Sequence, residues 1–207
     1  MSDREWRFFS IEGGGADFVR TVNENLIAIL QYDRGRALFK RIEDTGRTYR
    51  IEYVQNTFNS GDLYNLTTTN DPRMLCDPSY PLRENFEPTI QTVRERRKVF
   101  IYYWHELVHG LHVAEGSLGA WDAEEEFRTT GLYTLQYDAA QFTENALRRD
   151  AGLPRRPVYC WRGDNIAVLE LEKRRRKNLG LPENPREYVR GVEDNFDRYW
   201  LRAVRMS

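Results

Sequence analysis

No stretch of this chain approaches the roughly 18 consecutive apolar residues of a membrane-spanning helix. The opening stretch, MSDREWRFFSIEGGG, has no basic region followed by an apolar one. No transmembrane segment and no Sec-type leader are therefore expected, which leaves specialised secretion open. A charge excess is also missing: 31 Lys and Arg stand against 32 Asp and Glu, a net charge of −1. Neither nucleic acid nor a membrane surface is an expected partner on that balance. Cysteine is down to two residues, Cys76 and Cys160, which form no close-spaced pair of the kind redox or metal motifs use, and both are expected to be reduced thiols rather than a structural disulfide. No internal repeat or low-complexity segment is visible. Histidine is scarce as well, and all three copies fall within residues 104–112.

What is present suits a folded chain. Hydrophobic residues make up 40% and aromatics 13%, enough for a core at this length, while 30% charged residues imply a heavily solvated surface. In FVRTVNENLIAILQY, Phe18, Val22, Leu26 and Ile29 recur at helical spacing, although LIAIL alone also fits a strand. RGRALFKRI continues as a short helix to the turn EDTGR, where Gly46 supplies a permissive backbone. TYRIEYV alternates Tyr49, Ile51 and Tyr53 with Arg50 and Glu52, the pattern of a half-buried strand. Residues 55–88 read as a long polar connection, and TIQTV at 89–93 as a second short strand. One helix is predicted from Arg94 to about Glu115, followed by helices over 122–131 and 139–150, the latter with Asp138 and Gln141 as a capping box. Helices at 164–177 and 185–205 close the chain. The last has Pro185 at its first position and a core stripe of Tyr188, Val192, Phe196, Trp200 and Val204.

Chemistry concentrates in WHELVHGLH, residues 104–112. His105 and His109 are four residues apart, so on a helix they share a face and can address one ion. Glu106 sits beside the first histidine, where its carboxylate can reach a water on that ion. HExxH arises by chance in on the order of one chain in a hundred of this length. The plain alternative, two histidines on an amphipathic helix with no ligand role, is disfavoured because every histidine of the chain is here. Two imidazoles, a carboxylate and an open fourth position suit catalytic zinc. The metal then lowers the pKa of its water and polarises a carbonyl, and Glu106 moves the proton from water to leaving amine.

His112 does not complete the site. It lies seven residues from His105 on the same helix, about 10 Å along the axis. With no other histidine, the third ligand should be a carboxylate, and WDAEEEFRTTG offers Asp122, Glu124, Glu125 and Glu126. Such a cluster is ordinarily a solvated face; the need for an oxygen ligand reverses that reading. An oxyanion could be stabilised by Tyr159, Arg148, Arg149 or Arg156, with Tyr133 and Tyr137 behind them, although packing is the commoner role of each. Glu144 and Asn145 are candidates to orient a ligand imidazole. The basic runs RERRK and KRRRK, interleaved with or following glutamates, read as solvated helix faces.

HELVHGLH, EEEFRTTGL at 124–132 and TENALRRDAGLPRRPVY at 143–159, preceded by RGRALFKRIEDTGRTYRIEYV, together resemble the NleD-like family of HExxH zinc metallopeptidases of bacterial type III effectors and toxin-type zincins. The resemblance covers roughly residues 26–159. It implies His105 and His109 as ligands, Glu106 as base, and a third ligand from the Glu125–Glu126 pair, with Glu126 favoured and Glu125 the fallback. It also implies a host protein as substrate, with MAP kinase activation loops the notable targets of the family.

The expected fold is therefore α+β and zincin-like, with a small, mostly antiparallel sheet, an active-site helix and a helical C-terminal half. Residues 1–25 form an N-terminal segment, 26–160 the catalytic domain, and 161–207 a helical extension packed on it. The expected function is a zinc-dependent endopeptidase, secreted by a specialised system and acting on a signalling protein in host cytoplasm. Two alternatives stay open: a zinc hydrolase of a non-peptide amide, and a non-catalytic binding protein on a zincin scaffold.

Overall fold

The structure is a computed structural model and describes residues 6–55, 72–76, 99–118, 122–131, 141–153, 170, 173–174 and 176–180. The described residues up to Leu118 form one compact unit, and those from Asp122 on form a second.

Among the described residues the first unit holds a three-stranded sheet of β1 (Phe9–Glu12), β2 (Tyr49–Tyr53) and β3 (Arg73–Cys76), in that spatial order. Both pairings are parallel, with Phe9 opposite Tyr49, Ile51 opposite Met74 and Tyr53 opposite Cys76. The mostly antiparallel sheet expected from sequence is thus corrected among the described strands. Parallel neighbours need a crossover of a dozen or more residues, usually helical, and β1 and β2 are joined by α1 (Gly15–Leu30) and α2 (Asp33–Asp44). Alternation in TYRIEYV reports which face is buried, and does so correctly for Tyr49 and Ile51, whereas Tyr53 at the strand end is exposed. It carries no information on strand direction.

Helix α1 buries Phe18, Val22, Leu26 and Ile29, the predicted stripe, and α2 buries Leu38, Phe39 and Ile42. Phe8 and Phe9 pack their rings on Phe39, with Phe9 5.3 Å from it centroid to centroid, which ties β1 to α2. β3 lies inside the stretch expected to be an unstructured polar connection, and that expectation is also corrected. Its four residues are too few for periodicity to register; pairing is instead marked by Arg73, whose Nε donates to Glu52 Oε1 of β2 at 2.7 Å.

Helix α3 (Phe100–Ala114) packs on α1 and β3 and is buried nearly all round, from Phe100 and Ile101 through Leu107 and Val108 to Leu111. Its close approach to the sheet depends on Gly110. A Cβ at that position would fall 2.8 Å from Tyr49 Cε1 and 3.2 Å from Pro72 Cβ. The Cys76 sulfur of β3 lies 3.1 Å from the Tyr103 hydroxyl of α3, both buried. Burial, and then the neighbouring Cys76, hold the Tyr103 phenol well above its ordinary pKa.

The second unit contains α4 (Asp122–Thr130) and α5 (Glu144–Asp150), which pack together. Phe127 is the fully buried anchor of α4. The helix expected from residue 139 begins instead at Glu144, because Thr143 is the cap: its Oγ1 accepts the Ala146 N–H at 3.1 Å. Asp138 of the expected capping box lies outside the described residues, as do the strand expected at 89–93 and the helix expected at 185–205. No helix among the described residues is long and apolar enough to cross a membrane.

Candidate metal centre

The middle of α3 places His105 and His109 one turn apart on one face, as the i, i+4 spacing requires. Both rings are buried, and they meet edge to face, 4.7 Å between centroids with planes at 75°. Their Nε2 atoms are 3.0 Å apart. Both rings therefore turn the same nitrogen toward one point.

Glu126 of α4 is the third member of a group that could hold a metal ion. One ligand atom from each of His105, His109 and Glu126 lies within 4.8 Å of the other two. The donor set fits a metal: a tetrahedral site with bonds of about 2.1 Å separates its ligand atoms by about 3.4 Å, and the group here has two Nε2 atoms 3.0 Å apart and all its ligand atoms within 4.8 Å of one another. Two nitrogens and one oxygen also leave a coordination position for a water or substrate oxygen.

The other candidates fall elsewhere. Glu106 is half-buried beside His105 on α3 and is not a member of that group. Glu125 is fully buried; its Oε1 accepts from Thr129 Oγ1 at 3.1 Å, and its Oε2 is 4.0 Å from Arg128 Nη1. Adjacent helical residues point about 100° apart, so α4 turns Glu125 away from the direction taken by Glu126. Glu124 is buried and likewise outside the group, and the Asp122 side chain lies outside the described ones.

His112 is buried further along α3, which runs unbroken through Gly110. In α5, Arg148 Nε donates to Glu144 Oε1 at 2.6 Å with both side chains buried. Arg149 is exposed. Tyr133, Tyr137, Arg156 and Tyr159 lie outside the described residues.

Sequence reasoning missed three contacts that shape this region. One is the packing of Gly110 against Tyr49 and Pro72. The second is the Thr143 cap, whose signal was legible in Thr143 followed by the acidic Glu144 in the first turn. The third is the bond from Asn145 Nδ2 to the Gly131 carbonyl at 3.3 Å, which no local pattern announces.

Compared with known proteins, residues 5–159 match the model of the M91 peptidase family, described as effector protein. No curated protein and no solved structure matches the chain.

Proposed function

The chain belongs to the M91 peptidase family of NleD-like effectors, and from that premise we propose that it is a zinc-dependent endopeptidase that cleaves a protein of a host cell. The observation that carries the reading is the convergence of His105, His109 and Glu126 on one point. These three residues would hold the ion. Zinc bound there supplies a Lewis acid for the scissile carbonyl and acidifies the water that attacks it.

The chain's own groups do the rest. Glu106 accepts the proton of the attacking water and returns it to the amine as the peptide bond breaks, which requires a carboxylate near the ligands but not among them. Tyr159 and Arg148 are the proposed donors to the oxyanion. The burial of both histidines keeps bulk water from competing for the ligand nitrogens. As in the family it resembles, the substrate is proposed to be a host signalling protein cut in an exposed loop such as a kinase activation loop. Delivery is proposed to be by a specialised secretion system.

The test is incubation of the zinc-loaded protein with eukaryotic cell lysate, followed by mass spectrometry of new N-termini, with Glu106→Ala as control. New N-termini that appear with the parent and not with the variant support the reading. Identical N-terminomes from both would overturn it.

A further inference from the structure

The proposed chemistry uses Glu126 and not its neighbour Glu125, yet nothing intrinsic to two adjacent glutamates distinguishes them. The difference is the rotational position of α4. A twist of about 100° would exchange one for the other, and α4 has only nine residues with which to resist it.

Its C-terminal end is held by α5. Gly131, with φ at +80°, stops α4 by donating its N–H to the carbonyls of Phe127 at 2.9 Å and Arg128 at 3.2 Å. Its own carbonyl is then turned to Asn145, whose buried Nδ2 donates to it at 3.3 Å. Thr143 packs against the same glycine so closely that a Cβ there would fall 2.6 Å from Thr143 Oγ1. Thr143 is in turn fixed as the cap of α5, and the first turn of α5 is stiffened by the buried Glu144–Arg148 pair at 2.6 Å. The first turn of α5 is thus a mould for Gly131, the residue that follows α4 and stands five positions beyond Glu126.

We infer that Asn145, acting with Gly131 and Thr143, is a positioning residue that sets the rotation of α4 and so presents Glu126 rather than Glu125 to the metal. The inference rests on the reading of Glu126 as a ligand. Asn145 touches the backbone of α4 and acts through Glu126.

The test is cobalt(II) titration of the full chain, followed by its visible absorption bands, which report ligand identity and geometry independently of cleavage. Asn145→Ala and Asn145→Leu, the second keeping the size and removing the amide, should weaken cobalt binding about 10- to 100-fold and alter the bands. Circular dichroism should be preserved, and if the alanine variant does not fold the leucine variant decides. In a Glu126→Gln background, Asn145→Ala should change affinity by no more than about twofold, because the residue it acts through is gone.

Parent affinity and parent bands in both Asn145 variants, with Glu126→Gln impaired, would overturn the positioning role and leave the metal reading intact. The positioning role is equally overturned if Asn145→Ala costs as much in the Glu126→Gln background as alone. A parent chain that takes up no cobalt, or a Glu126→Gln variant that binds like the parent, would overturn the metal reading and this inference with it.

Discussion

The Nε2 atoms of His105 and His109 stand 3.0 Å apart, with both rings buried in α3. Two imidazoles facing each other through the same nitrogen are satisfied either by one shared proton or by an ion that both can bind. Binding of an ion to the folded chain alone stabilises it, by about 2.7 kcal/mol at a concentration one hundred times the dissociation constant. Zinc should therefore raise the Tm and a chelator should lower it. Glu126→Gln should lose most of the rise, while Glu125→Gln and His112→Ala should keep it, since neither belongs to the ligand group. Scanning calorimetry of the three variants with and without zinc decides this. A full response in Glu126→Gln and none in Glu125→Gln would reverse the assignment of the pair.

Glu106 is half-buried next to His105 and outside the ligand group. Glu106→Gln should keep the metal and lower kcat on a peptide substrate by at least about 10²-fold, the usual worth of a positioned acid–base group. Metal content and turnover measured on one preparation separate the two roles. Loss of the metal along with turnover would make Glu106 a ligand and discard the mechanism.

Gly110→Ala sets two effects against each other. Alanine raises helix propensity by up to about 1 kcal/mol. The new Cβ, however, would sit 2.8 Å from the ring of the buried Tyr49 and 3.2 Å from Pro72, and overpacking of this kind costs about 1 to 3 kcal/mol. The clash should win, with a net loss of about 1 kcal/mol in denaturant unfolding. A variant as stable as the parent would mean that α3 can lift from the sheet without cost.

The Glu144–Arg148 pair, 2.6 Å long and buried on both sides, predicts opposite outcomes for one replacement and two. Arg148→Ala leaves a buried carboxylate without this partner and should cost about 3 to 5 kcal/mol, whereas Glu144→Leu with Arg148→Met should recover most of that loss. Cleavage by the double variant then isolates the oxyanion role. Stability regained without turnover supports Arg148 as an oxyanion donor, and turnover regained with stability assigns the pair to the fold alone.

Burial holds the Tyr49 phenol above its ordinary pKa of 10.0. A group whose folded pKa is raised contributes stability that is complete below the unfolded value and is lost as pH rises through and beyond it. Unfolding free energy should therefore fall above about pH 10, and Tyr49→Phe should remove part of that slope while the difference between variant and parent stays constant at neutral pH. Denaturant unfolding at a series of alkaline pH values measures the slope, and equal slopes would rule Tyr49 out as its source.

Much of this was legible because it is local. The spacing of Phe18, Val22, Leu26 and Ile29 defines a face within one helix, and HELVH writes the histidine pair directly into one turn of α3. Strand direction is not local: the alternation of Tyr49 and Ile51 reads the same whichever way the neighbour runs, so the parallel sheet depended on the α1–α2 crossover. β1 and β3, at four residues each, fall below the length at which a period can be seen. The start of α5 was obscured by a competing signal, since Asp138 and Gln141 match a capping box that Thr143 supersedes. The choice between Glu125 and Glu126 was not written in local spacing; the resemblance favoured Glu126, and Glu126 is the one grouped with His105 and His109.

The place of β1 in the sheet bears on how the chain tolerates being shortened. β2 is the central strand, paired with β1 along one side and β3 along the other. Trimming the chain past Glu12 would expose one row of β2 backbone N–H and C=O groups flanking the apolar Tyr49 and Ile51. An uncovered edge of that kind is a template for pairing with another molecule, so the expected consequence of such trimming is self-association and loss of soluble protein before any change at the histidines.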